Sequence, residues 1–187
     1  MGIVVIGAVF VDIKGYPTGA FIPTGRNAGR VEHVHGGVGR NVVEDIANME
    51  LRPTYLGIVD DTPMGTEVLT KLKKHKVNCD YVLTVPDGMG LWLAVFDNTG
   101  DVAGSISKRP DAYPLVELLD EKGDEIFSKG DAVVLEGDMD SDIVKKILDY
   151  VEKYGIKSIA LVSNMSIAAE RRDLLQRFDC FICNQQE

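Results

Sequence analysis

An α/β fold with a mainly parallel sheet is predicted by three features of the chain. Short apolar runs at 3–9, 54–59, 132–135, 158–162 and 180–183 read as buried strands. Segments with one apolar face at helical spacing alternate with several of them. Glycine clusters mark the turns, most densely at Gly36-Gly37-Val38-Gly39. Strands alternating with amphipathic helices build a parallel sheet covered on both faces. The 187 residues suffice for one such domain, which buries roughly 70% of the surface its unfolded chain exposes.

In chain order, residues 3–9 form the first strand. Residues 14–30 are rich in Gly, Pro and Thr and read as an excursion from the core. After Gly39 a helix places Val38, Val42, Ile46 and Met49 on one apolar face. Residues 54–59 are the next strand. Thr62-Pro63 supplies a cap and a proline at the first helical position, opening a helix to about residue 76 with Val68, Leu69 and Leu72 inward. The pattern then changes. Residues 91–96 and 102–107 flank Asp97-Asn98-Thr99-Gly100-Asp101 and read as a hairpin. A strand at 132–135 leads to a helix at 141–154, with Ile143, Ile147, Val151 and Tyr154 on one face and Gly155 as its stop. A strand at 158–162, a helix at 167–177 and a last strand at 180–183 follow. The excursion and the hairpin do not fit the alternation and predict a small β lid, about residues 13–34 and 89–108, on the α/β body.

With 29 acidic and 20 basic residues the formal charge is −9, which argues against a duplex nucleic-acid binder. No apolar run approaches the ~20 residues of a membrane span. Three cysteines without framework spacing, Cys79, Cys180 and Cys183, suggest a reducing, cytoplasmic setting. Cys180-Phe181-Ile182-Cys183 is formally CxxC, but it sits in a strand-like run with no second pair for zinc, so it reads as buried small hydrophobes. His33 and His35 share a face of an extended segment without a third metal ligand. The acidic runs Glu44-Asp45 and 120–125 read as solvated faces.

The glycine turn carries the main functional signal. Glycines before a helix bring backbone N–H groups close to a ligand, because no side chain holds it off. The spacing is neither the P-loop nor GxGxxG, which disfavours a Rossmann-type dinucleotide domain. Asn41, in the first helical turn, either caps or presents an amide suited to hydroxyl recognition. Asp12 lies just past the first strand, where ligands collect in open α/β sheets; a solvated loop carboxylate is the other reading.

Together these elements resemble the ribokinase (PfkB-type carbohydrate kinase) family. The resemblance lies in the order and spacing of Gly7-Ala8 with Asp12, of Gly36-Gly37-Val38-Gly39-Arg40-Asn41 opening a helix, and of the segment from Gly57 to Gly65. That segment resembles the family's Gly-x-Val-Gly-x-Asp-x-x-Gly stretch, with Asp60 where glycine is usual. Asn184-Gln185-Gln186-Glu187 is similar to the family's Asn-x-x-Glu motif. Gly-Val-Gly-Arg-Asn leans toward pseudouridine-kinase-like members, whereas Asn48-Met49-Glu50-Leu51 and Ser107-Lys108-Arg109-Pro110 depart from the usual pattern.

The resemblance implies a ribokinase-like three-layer body and transfer of the ATP γ-phosphoryl group to a hydroxyl of a small-molecule sugar or nucleoside. It implies substrate contacts from Asp12, Gly36, Gly37 and Asn41, ordering of the Mg²⁺ and phosphate region by Asn184 and Glu187, with Glu187 toward the metal, and a homodimer through the lid. The family's second signature, Asp-Thr-x-Gly-Ala-Gly-Asp with the catalytic base, does not occur in the 187 residues. The expectation is therefore a substrate half, incomplete at its C-terminal side and inactive alone as a kinase; the alternative is a non-catalytic sugar- or nucleoside-binding module.

Overall fold

The computed structural model describes residues 2–164 and 169–185. In chain order it holds β1 (Ile3–Ile6), β2 (Phe10–Pro17), β3 (Gly29–Gly36), α1 (Val38–Asn48), β4 (Thr54–Val59), α2 (Pro63–Lys74), β5 (Asn78–Thr84), β6 (Gly90–Phe96), β7 (Val102–Lys108), α3 (Pro114–Phe127), β8 (Ala132–Glu136), α4 (Ser141–Tyr154), β9 (Lys157–Leu161), α5 (Arg172–Leu175) and β10 (Cys180–Ile182).

Six strands form one sheet in the order β10-β9-β8-β1-β4-β5, and every pair in it is parallel. Strands β1, β4 and β8 are apolar on both faces, so their successive residues serve different cores. On β1, β4 and β8, the residues Val4, Ile6, Leu56, Ile58, Val133 and Leu135 pack with Leu115 and Phe127 of α3 and Ile143 and Ile147 of α4. The alternate residues Val5, Tyr55, Val59 and Val134 pack with Val43 of α1 and Val68 and Leu72 of α2. The result is the predicted α/β arrangement: α1 and α2 on one face, α3 and α4 on the other. The strand order reverses at β1, with β4 on one side and β8 on the other, and the crevice at such a reversal collects ligands.

A second, mixed sheet of order β3-β2-β6-β7 is built from the two stretches that broke the alternation. The hairpin at 91–107 is present as antiparallel β6 and β7, closed where the Asp97 N–H donates to the Asp101 carbonyl at 2.8 Å. The excursion at 14–30 is less irregular than its composition suggests, because β2 runs on to Pro17 and pairs antiparallel with β3 throughout. Asp12 of β2, Trp92 of β6 and Ser107 of β7 are directly paired neighbours, so their side chains share one face. The opposite face carries Leu93 and Ile106, also cross-strand partners, which are 43% and 71% exposed.

The cap and proline at Thr62-Pro63 start α2 as expected, with the Thr62 hydroxyl accepting from the Gly65 N–H at 3.4 Å, and α4 ends at Gly155. Two expectations are corrected. In α1 the buried residues are Gly39, Arg40, Val43 and Ala47; of the expected face Val42 and Ile46 pack half-buried against the core, whereas Val38 and Met49 are exposed. The turn presses Gly39 against Gly7, which fixes the helix's rotation, and an ion-paired arginine occupies part of the interior that apolar counting leaves out. Cys180 and Cys183 are exposed, not buried, because β10 is the sheet's outer strand; Phe181 and Ile182 are also exposed there. The helix expected at 167–177 lies partly outside the described residues, and Arg172–Leu175 is helical. Helix α3 was not anticipated; the acidic run at 120–125 lies within it, while Leu115, Leu119, Ile126 and Phe127 face the core. No helix among the described residues is long and apolar enough to cross a membrane.

Candidate active site

Gly37 is where β3 turns into α1. Its φ of +98° is a conformation that side chains rarely adopt, and a Cβ there would collide with the Ala8 carbonyl. A Cβ on Gly7 would come within 2.8 Å of the Gly39 Cα, so the chain just past β1 and the start of α1 touch backbone to backbone. Arg40, 5% exposed, ties the turn down from behind. It donates to the His35 carbonyl at 2.7 Å and the Gly36 carbonyl at 3.4 Å, and it pairs with Glu44 at 2.5 Å. Burial raises the Glu44 carboxyl, but Lys71 and Arg40 outweigh it and hold it below the usual range. Arg40 also bonds the Asn41 side-chain oxygen, which fixes that amide at the rim.

These elements open onto a cavity of about 640 Å³. One wall is the second sheet, contributing Phe10, Asp12, Trp92 and Ser107. The floor is Ala8, Gly37, Val38 and Asn41. The far side consists of Arg109, Pro110 and Ala112 after β7, Glu136 with Asp138–Asp140 beyond β8, and Ser163 with Asn164 after β9. It therefore lies at the C-terminal ends of β1 and β8, where the sheet order reverses. Asp12 is largely buried, with Lys14 Nζ 3.4 Å from its carboxylate and also 5.9 Å from the centre of the Trp92 ring. The Asp12 carboxylate packs against Gly36, where a Cβ would collide with it.

Of the expected site residues, Asp12, Gly37 and Asn41 meet in this cavity, and Gly36 adjoins Asp12. Asn184 lies outside it, exposed beyond β10, and Glu187 lies outside the described residues. Among the described residues no group of three or more His, Cys, Asp or Glu side chains is placed to hold a metal ion. His33 is exposed, and His35 Nε2 is 3.6 Å from Glu67.

Sequence reasoning missed the polar residues of the far side. Glu136 is 7% exposed and accepts from the Gly39 N–H at 2.5 Å, joining β8 to the helix start. Burial pushes its carboxyl up to about 7, with Asp138 adding to the rise, against lowering by the N–H groups of Gly39 and Ala8 and by Arg109. Asp138, 3% exposed, binds Arg109 through its carbonyl at 2.8 Å and its carboxylate at 2.7 Å. A signal was available: Glu136 ends an apolar run at the C-terminal edge of a parallel strand, where ligands collect in open α/β sheets.

The profile described as "pfkB family carbohydrate kinase" matches residues 2–187. The chain belongs to the PfkB family. It is 35% identical over 186 residues to the guanosine-inosine kinase of Exiguobacterium acetylicum, covering 99% of this chain and 61% of that enzyme. It is 26% identical over 149 residues to the pseudouridine kinase of Escherichia coli (strain K12), covering 79% of this chain and 47% of that enzyme. The PfkB chain thus spans less than two thirds of either relative. Its fold matches that of Arabidopsis thaliana ribokinase complexed with ribose and ATP, with a TM-score of 0.75 at 19% identity, covering 96% of this chain and 58% of that one.

Proposed function

We propose that this PfkB chain is the substrate-binding part of an ATP-dependent nucleoside kinase, with the ribose held on the glycine turn and the base against Trp92. The observation that carries this reading is the row formed by Asp12 and Trp92 on paired strands over Gly37 and Asn41. A carboxylate acceptor, a side-chain amide and exposed backbone serve vicinal hydroxyls, and the flat indole beside them offers a stacking surface that a free sugar does not require. Two nucleoside kinases among the relatives support the same choice. In this reading Asp12 and Asn41 orient the sugar so that one hydroxyl faces the incoming phosphoryl group. Positioning of that kind supplies much of the rate in phosphoryl transfer. ATP with Mg²⁺ would supply the phosphoryl group. The nucleotide site and the base that takes the hydroxyl proton would come from the part of the family's length that this chain does not span. Asn184 and Glu187 are proposed to help order the Mg²⁺ and phosphate region, and the second sheet is proposed to act as the lid.

The test is a calorimetric panel on the 187-residue chain. Inosine and guanosine are expected to bind at a single site, fructose and ribose at least tenfold more weakly, and ATP with Mg²⁺ without measurable heat. Tighter binding of fructose than of either nucleoside would overturn the nucleoside reading.

The exposed Leu93 and Ile106 lie on the sheet face opposite Trp92 and Asp12, which suits self-association through the lid without blocking the cavity. Sedimentation is expected to give a dimer that Ile106→Asp converts to a monomer. A monomeric wild-type chain at tens of micromolar would remove the proposed interface.

A further inference from the structure

We propose that Asp138 and Arg109 read the base, selecting nucleosides whose ring presents an N–H donor beside a carbonyl oxygen, as 6-oxopurines do. The proposal rests on the nucleoside reading above and concerns the far side of the same cavity. The starting point is an asymmetry within one carboxylate. Asp138 Oδ2 accepts from Arg109 Nη2 at 2.7 Å and from the Ser163 hydroxyl at 2.9 Å, which fills its lone pairs. Among the described residues Asp138 Oδ1 has no hydrogen-bond partner, and it is buried, so a ligand meets it only when the side chain turns toward the cavity. A buried charged oxygen without a donor is costly, and native proteins tolerate few of them. A carboxylate kept only to anchor Arg109 would have no reason to bury its second oxygen unpartnered beside a ligand-sized cavity that it helps to line.

The neighbouring charge narrows the ligand chemistry. Arg109 uses Nη1 on the Asp138 carbonyl and Nη2 on its carboxylate, yet it is 48% exposed and lines the cavity too. A guanidinium carries five N–H donors, so further donors remain for a ligand acceptor. The pair therefore presents an acceptor and a cationic donor side by side. A ribose diol needs no cation beside the carboxylate, whereas a 6-oxopurine offers N1–H to the carboxylate and O6 to the guanidinium. Arginine on the O6/N7 edge of guanine is the commonest specific contact to that base. The two residues come from separate connections, Arg109 beyond β7 and Asp138 beyond β8, and meet only in the fold.

The experiment compares inosine with purine riboside, which lacks both N1–H and O6 and adds no bulk, by calorimetry on the same chain. Wild-type protein is expected to bind inosine about tenfold or more tightly than purine riboside. In Asp138→Ala the two affinities converge to within about twofold, mainly through loss of inosine binding. Equal affinities in the wild type, a readout that needs no variant, would overturn the base-reading role while leaving the nucleoside reading intact. A preference for inosine that persists in Asp138→Ala would overturn it as well. Absence of binding by both nucleosides would overturn this role together with the nucleoside reading.

Discussion

Asp12→Ala is expected to weaken inosine binding by about 100-fold or more while leaving the fold intact. A carboxylate accepting from two ribose hydroxyls makes charge-assisted hydrogen bonds of about 1.5–3 kcal/mol each, and alanine removes both. The cost to folding is small by comparison. The structure gives Asp12 one ion pair, with Lys14, and pairs of that partly exposed kind contribute roughly 0–1 kcal/mol. Calorimetry paired with a thermal melt separates the two effects. An affinity within threefold of wild type would remove Asp12 from the site, and a collapse of Tm would make it a structural residue.

The second large effect is expected at Glu136, and it is a dependence of stability on pH. Its carboxyl is raised from 4.5 to about 7 in the folded chain, chiefly by burial. Between those values the folded protein keeps a proton that the unfolded chain releases, so this group's contribution to stability falls as pH rises through the window. A shift of about 2.5 units corresponds to about 3 kcal/mol once the carboxyl is ionised in both states. Glu136→Gln keeps an oxygen for the Gly39 N–H but cannot ionise. The variant is expected to match or trail wild type at pH 4.5 and to exceed it by up to about 3 kcal/mol at pH 8. Denaturant unfolding across that range checks it. Parallel stability curves for the two proteins would contradict the account of Glu136. A carboxylate that lowers stability at neutral pH and lines a cavity is the pattern of a functional group.

How much of this was legible follows from which signals are local. Helix α4 was readable because Ile143, Ile147 and Val151 repeat at helical spacing and Gly155 ends the run. The α2 start was readable because Thr62 and Pro63 act within one turn of chain. The turn at Gly37 and its neighbours Asp12 and Asn41 were found as a motif, and the fold brings them to one cavity. The rotation of α1 was not readable, because it is set by contact between Gly39 and Gly7, 32 positions apart in sequence. Nor was the Arg109–Asp138 pair, whose partners lie 29 residues apart and meet only through the packing of two sheets. Helix α3 was missed because its charged outer residues interrupt the apolar pattern that Leu115, Leu119 and Ile126 make against the core.

The most direct test of the central claim is a crystal structure of the chain with inosine bound. The account predicts ribose hydroxyls within hydrogen-bonding distance of the Asp12 carboxylate and the Asn41 amide, with the purine ring against Trp92. A ribose bound away from the Gly37 turn, or a base lying where the ribose is expected, would contradict it.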